Sequence, residues 1–356
     1  MSNGTVGNKG VDSLPLQANE LNESWKSRLS AFGTAFVSKG YTMYPVILLM
    51  FIIGAFFAPR FLTTVNLLNI AAQIAVLGIV TIGLTFILLI GRLDLSLEST
   101  VGFAPMVAAM LMAKSSAGGF GIELPGWVGL LITMGIAASI GFLNGFLIVK
   151  VGVHPFITTL GMLVFLRGGI LVVSNGRSIY SPPDLYTYMG SIKYFGIPLS
   201  VLILIAIAVV IGIIWQYHRY GRALYAVGGN EEAARAAGIK VERIIFSAFI
   251  FASLLAGIGG IILTGRLDSV VTTQGDGLIF DCFAAAVIGG VSLGGGKGTM
   301  VGAMSGVILI GVINNLLTLA QVPSFWVQAS TGAIIIVAAV LAAVASQQST
   351  TIKTRT

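Results

Sequence analysis

Long apolar runs separated by short polar breaks dominate the chain from about residue 45 onward. A spanning helix needs roughly 20 apolar residues. Ten segments approach that length: 45–61, 67–90, 99–113, 127–149, 156–173, 197–215, 244–264, 278–291, 299–319 and 324–345. The pattern predicts an all-α integral membrane protein of about ten transmembrane helices. The third segment carries Pro105, and the eighth ends in Gly289 and Gly290. Short, Gly/Pro-interrupted segments at matching positions of two halves point to a transport path. Ten spans divide as five plus five, and an odd number per half inverts the second. The sequence GRLD recurs at 91–94 and 265–268, after the second and seventh segments, in keeping with such an inverted repeat.

Composition closes off the soluble alternatives. Of 356 residues, 56% are hydrophobic and 9% charged, and the mean hydropathy is +0.96. An aqueous surface needs far more charge. The 46 glycines suit close helix approach in lipid. The net charge of +7 reads as topology rather than nucleic-acid binding. With the amino terminus inside, most of the 20 Lys and Arg fall on inner loops, and only Arg60, Lys114, Arg177, Lys193 and Arg266 fall outside. Both termini are therefore expected in the cytoplasm. Arg167 lies within a span. Residues 1–43 form a polar tail without a signal-like apolar core, with a surface helix expected near 25–37. The membrane domain covers 44–345, and 346–356 is a second cytoplasmic tail. Trp127, Trp215 and Trp326 fall at span ends, where interfacial tryptophans are expected.

The longest and most charged inner loop, 217–243, predicts a folded element. Asn230, after Gly229, can cap a helix, and Glu231 and Glu232 suit its positive dipole end. Ala233, Ala234, Arg235 and Ala236 favour helix, and Gly238 can close it in the left-handed conformation. A short cytoplasmic helix of this kind fits a groove on another protein and passes force to the adjoining spans.

Embedded polar residues supply the candidate solute path or gate: Asn69, Gln73, Asp94, Ser96, Asn144, Asp281, Asn314 and Asn315. In lipid each needs a polar partner, so each can equally tie helices together. Asp94 and Ser96 can cap the third span; Asp281 can face a wet cavity. Two histidines, His154 and His218, and one cysteine, Cys282, cannot make a dedicated metal site. The run 289–298 fails as a phosphate loop. Val291 stands where Walker A needs its first glycine, and Gly298 follows Lys297 where Ser or Thr is required. It reads as a tight reversal. Beyond it, Gly298, Gly302 and Gly306 share a packing face, as do Gly141 and Gly145.

GRALYAVGGNEEAARAAGI (221–239) resembles the coupling loop of permease subunits in the ribose/galactose/xylose branch of ATP-binding-cassette sugar importers. LLIGRLDLSLES (88–99) is similar to that family's Gly-Gly-Ile-Asp-Leu-Ser-Val-Gly-Ser block, and 141–169 and 283–306 resemble its Asn-Gly, Pro-Phe-Ile and Gly-rich blocks in the same order. The resemblance covers 66–343. It departs at Arg92 and Leu93 for Gly and Ile, at Leu97 and Glu98 for Val and Gly, and at Asn315 for Gly. It implies a permease in a bacterial inner membrane, importing a sugar-like solute and itself neither enzyme nor cofactor protein. The implied partners are an ATPase subunit that binds ATP and Mg, a periplasmic solute-binding protein, membrane lipid, and a second permease copy (a homodimer) or a related permease. An ion-coupled secondary transporter is the competing class; it needs ionisable groups at mid-membrane, for which Arg167 and Asp281 are the candidates.

Overall fold

The computed structural model describes residues 43–353, so the amino-terminal tail and the helix expected near 25–37 lie outside the described residues. All ten apolar segments are helical. We label α1 Tyr44–Phe57, α2 Thr64–Leu89, α3 Leu97–Met112, α4 Gly126–Phe146, α5 Pro155–Ser174, α6 Asp184–Ser191 and α7 Leu199–Tyr217. The chain continues through α8 Arg219–Gly229, α9 Glu231–Ala236, α10 Val241–Leu267, α11 Leu278–Ile288, α12 Met300–Leu319 and α13 Ser324–Lys353. Among the described residues, six helices are long and apolar enough to cross a membrane alone: α2, α4 with its π turn to Val151, α5, α7, α10 and α12. Apolar segments α1, α3, α11 and the first part of α13 are shorter. The last helix runs past 345, where the sequence pattern placed its end.

Local chemistry sets the boundaries. Thr63 and Thr299 accept hydrogen bonds from the Asn66 and Gly302 amides and open α2 and α12. Pro155 sits at the first position of α5, where its missing N–H costs nothing, and Asn175 closes that helix with φ +50°. α2 is buried along nearly all its length and forms the axis of the bundle. It contacts α7, α10, α11 and α12, while α4 and α3 pack on α10. The small faces work as expected. A Cβ at Gly141 would meet the Phe249 carbonyl at 2.6 Å, and one at Gly306 the Ala285 carbonyl at 1.9 Å. α5 and α7 instead expose broad apolar faces, including Val164, Phe165, Val209 and Ile213. Trp215 departs from the expected interfacial role. It is buried, its ring 5.1 Å from that of Phe86.

Two helices begin inside the bundle rather than at its surface. After α2 the chain runs non-helically through 91–96 before α3 starts. At the other end, β1 (Ile179–Tyr180) pairs antiparallel with β4 (Ser269–Val270). A separate hairpin joins β2 (Lys193–Tyr194) to β3 (Ile197–Pro198). From β4 the chain turns back inward through 271–277 and only then starts α11. α11 has 11 residues, about 16 Å at 1.5 Å per residue, half of a hydrocarbon core. The GRLD repeats do not share a conformation: 91–94 lies beyond the end of α2, whereas Gly265–Leu267 forms the last turn of α10 and Asp268 follows with φ +50°.

Candidate functional site

The expected surface helix exists, and it has a companion. α8 precedes α9, and both lie at the end of the bundle where α2 finishes and α12 begins. The α9 geometry follows the sequence reading. The Asn230 Oδ1 accepts the Ala233 N–H at 2.8 Å, Glu231 and Glu232 occupy the first turn, and Gly238 has φ +82°. Ala234 is buried, and Arg235 pairs with Glu231 and Glu242. Glu231 also pairs with Arg92 at 3.0 Å, which links α9 to the non-helical segment leading into α3.

The junction beneath α8 is made of backbone. The Gly296 N–H donates to the Leu89 carbonyl at 2.9 Å. A Cβ at Gly228 would lie 1.7 Å from that same carbonyl oxygen and 2.6 Å from the Gly296 nitrogen. A Cβ at Gly295 would meet the Gly228 carbonyl at 2.7 Å and the Gly91 Cα at 2.8 Å. The 289–298 run is thus the reversal expected, with the Ser292 N–H donating to the Lys297 carbonyl at 2.9 Å. Its glycines also clasp α8 and the end of α2. The Tyr225 hydroxyl adds a bond to the Gly298 carbonyl at 2.7 Å, and burial pushes that phenol's pKa up, so it stays a donor. Backbone in this van der Waals contact has no rotamers with which to yield.

The candidate path residues separate into three groups. Asp94, Ser96 and Asn144 come together in a fully buried knot. Ser96 donates to Asp94 through both N–H (2.9 Å) and hydroxyl (2.6 Å), and the Asn144 amide donates to Ser96 Oγ at 2.9 Å. This is a tie between α4 and the start of α3. Asp281 and Asn314 meet at 3.2 Å, and Asp281 also accepts from Thr331 at 3.0 Å. Gln73 lines a cavity of about 170 Å³ with Asp281, Asn314 and Arg266. Asn315 pairs reciprocally with Asn66 at 2.9 and 3.0 Å and joins α12 to α2. Asn69 is exposed on α2.

One polar cluster escaped the reading of the sequence. Arg167 of α5 donates to the Gln274 carbonyl at 2.9 Å and pairs with Glu98 at 3.4 Å and Asp276 at 2.7 Å. The other oxygen of Glu98 accepts the Ile279 N–H at 3.4 Å, in the first turn of α11. Gln274 donates in turn to the Val101 carbonyl at 3.0 Å and to Thr264 at 3.1 Å. The starts of α3 and α11 therefore meet, tied by one arginine from α5. A signal was present: a lone arginine inside a span demands a carboxylate at its depth, and Glu98 stood in a position where glycine was expected.

Comparison with known proteins shows the family. Residues 66–339 match the family described as branched-chain amino acid transport system / permease component. The chain is similar to the ribose import permease protein RbsC of Escherichia coli (strain K12), 34% identical over 87% of this chain and 95% of the relative. The ribose import permease protein RbsC of Bacillus subtilis (strain 168) is 36% identical over 82% and 89%. The L-arabinose transport system permease protein AraH of Escherichia coli (strain K12) is 29% identical over 83% and 88%. No solved structure matches the chain at a significant level.

Proposed function

The chain belongs to the branched-chain amino acid transport system / permease component family, and from that premise we propose that it is the membrane subunit of an ATP-binding-cassette importer for a sugar or sugar-like polar solute. The solute class rests on the ribose and arabinose relatives. ATP and Mg²⁺ are bound and hydrolysed by a separate ATPase subunit. A periplasmic binding protein delivers solute, and a second copy of the chain completes the pore. The protein sits in a bacterial inner membrane with ten spans and both termini cytoplasmic. The α8–α9 end, rich in Lys and Arg, faces the cytoplasm. α3 and α11 start inside the bundle and run toward opposite ends, which supports a five-plus-five inverted arrangement better than the GRLD match does.

The observation that carries this reading is the backbone junction at Gly228. A motor that pulls α9 moves α8, and α8 cannot move without the end of α2 and the 289–298 reversal. Those two segments flank the broken helices α3 and α11. The displacement therefore reaches both halves of the membrane domain at once, as alternating access requires.

Reconstitution tests it. The chain alone in proteoliposomes takes up no solute under a proton or sodium gradient. Uptake appears when the ATPase, ATP and the binding protein are added. Gly238→Pro forces a residue fixed near φ −65° into a position at φ +82°. Ala234→Trp overfills a buried contact. Both variants insert normally and keep ATP hydrolysis while losing transport; normal coupling in both removes the lever role of α9. The ionisable pair Arg167–Glu98 at membrane depth favours an ion-coupled transporter as the second reading. Gradient-driven uptake by the chain alone would establish it instead.

A further inference from the structure

The Arg167 cluster lies deep. Arg167 is seven residues from the end of α5 at Ser174, about 10 Å along the helix axis. Gly260, whose carbonyl accepts from Gln274, is likewise seven residues from the end of α10 at Leu267. Yet the cluster is not closed off. The Glu98 side chain is 8% exposed and that of Arg167 18%, but that of Asp276 is 50% exposed. On α13, Gly332 shares a cavity with Asp276, and a Cβ there would meet nothing within 4 Å. Asp276 also lines a cavity of about 490 Å³ with Asp281, Gln328 and Thr331.

A half-exposed carboxylate at this depth cannot face hydrocarbon without a large desolvation cost. The exposed faces of α5 at Val164 and Phe165 and of α7 at Val209 and Ile213 are apolar. The polar one must therefore meet water. Its chemistry is mixed. Arg167 offers N–H donors, Asp276, Asp281 and Gln328 offer acceptors, and the arginine charge is already engaged by two carboxylates. Such a surface suits hydroxyl groups, which both donate and accept, and the cavity lined by Asp276 and Asp281 has no cation among its lining residues to hold a carboxylate or phosphate.

We propose that the face formed by Arg167, Asp276 and Gln328 lines the aqueous solute path, where the Arg167–Asp276 pair meets the hydroxyls of an uncharged polyhydroxylated solute and Glu98 anchors the arginine. This rests on the importer reading for the identity of the solute, and on the structure alone for the presence of water.

Two measurements separate those parts. On a Cys282→Ala background, Gly332→Cys, Gln328→Cys and Ile205→Cys on the apolar face of α7 are reconstituted in liposomes. Each is treated with a membrane-impermeant charged thiosulfonate. Gly332→Cys and Gln328→Cys react about a hundredfold faster than Ile205→Cys, the factor set by the cost of bringing a charge into hydrocarbon. Rates at both positions as slow as Ile205→Cys overturn the proposal. In the full complex with its ATPase and binding protein, Asp276→Asn lowers the maximal uptake rate about tenfold, the loss expected of one charge-assisted hydrogen bond, with ATP hydrolysis unchanged. Wild-type uptake by Asp276→Asn overturns the contact with solute. A wild-type complex without uptake removes the importer reading, and the labelling rates still decide whether the face is wet.

Discussion

Two of the contacts between the amino-terminal and carboxy-terminal parts of the bundle differ in their chemistry. Under α8 the contact is backbone on backbone: Gly228 against Leu89 and Gly296, and Gly295 against Gly91. Where α3 and α11 start, backbone also touches backbone, Gly275 against the Glu98 carbonyl and Gly102 against the Gln274 carbonyl, but long charged side chains are added, Arg167 reaching Glu98 and Asp276. The first junction is steric. It has no rotamers and no slack, so it transmits a displacement. The second carries an electrostatic tie whose outer carboxylate, Asp276, is half exposed, built from groups that can exchange protein partners for water or solute at modest cost. A transporter needs both kinds: a rigid joint where force enters, and a breakable one where solute passes.

Breaking the rigid joint has the largest expected effect. Gly228→Ala places a methyl group 1.7 Å from the Leu89 carbonyl oxygen, and neither backbone can retreat without separating α8 from α2. The expected destabilisation is about 3 kcal/mol, the upper end for overpacking. Transport in the complex falls below detection. The same substitution at Gly229, where a Cβ meets nothing within 4 Å, is expected to leave transport close to wild type. Thermal unfolding in detergent and reconstituted uptake of both variants check the pair. Equal behaviour at 228 and 229 would mean that the junction transmits nothing.

The breakable joint responds next, and asymmetrically. Arg167→Gln leaves the mostly buried Glu98 without its cation and is expected to cost about 3–5 kcal/mol. Glu98→Gln removes the more buried carboxylate while Arg167 keeps Asp276 at 2.7 Å, so it costs less. The double variant, with no ion left unpaired between 98 and 167, is expected to be more stable than Arg167→Gln alone. Unfolding of all three in detergent gives the coupling energy; strict additivity would contradict a mutual pair.

Much of this was legible in the sequence, for identifiable reasons. Helices in lipid announce themselves by composition, because every backbone group must be satisfied within the segment. All ten apolar segments accordingly appear as helices. Asn230 and Gly238 were legible because caps have narrow chemistry. α8 was missed. The loop 217–243 reads as folded, but the capping pattern marks a helix only from Asn230 to Gly238, and the contact that defines α8, with the 289–298 reversal, joins positions about seventy residues apart. Glu98 was passed over for the same reason. Its partners are on α5 and before α11, and no local pattern links them. Trp215 fell at a span end, where an interfacial position was expected, but α8 covers that end and buries the ring against Phe86.

The smallest effect lies at the tip of the rigid joint and sharpens what rigidity means there. Asn230 holds the first turn of α9 by one hydrogen bond, 2.8 Å from the Ala233 N–H. Asn230→Ala loses that cap and weakens the turn by about 1 kcal/mol. The turn is short, only Glu231–Ala236, so it cannot recover the loss by propagation. Glu231 would then hold Arg92 less firmly, since the 3.0 Å pair depends on where the first turn places the carboxylate. Uptake is expected to fall roughly threefold, with the bundle's unfolding temperature unchanged, because 1 kcal/mol is less than a factor of ten. Asn230→Ser keeps an oxygen that can accept the same N–H and should restore most of the uptake. If serine and alanine lower uptake equally, the asparagine acts through a contact with a partner rather than through the cap, and the lever would be held from outside the chain instead of by its own first turn.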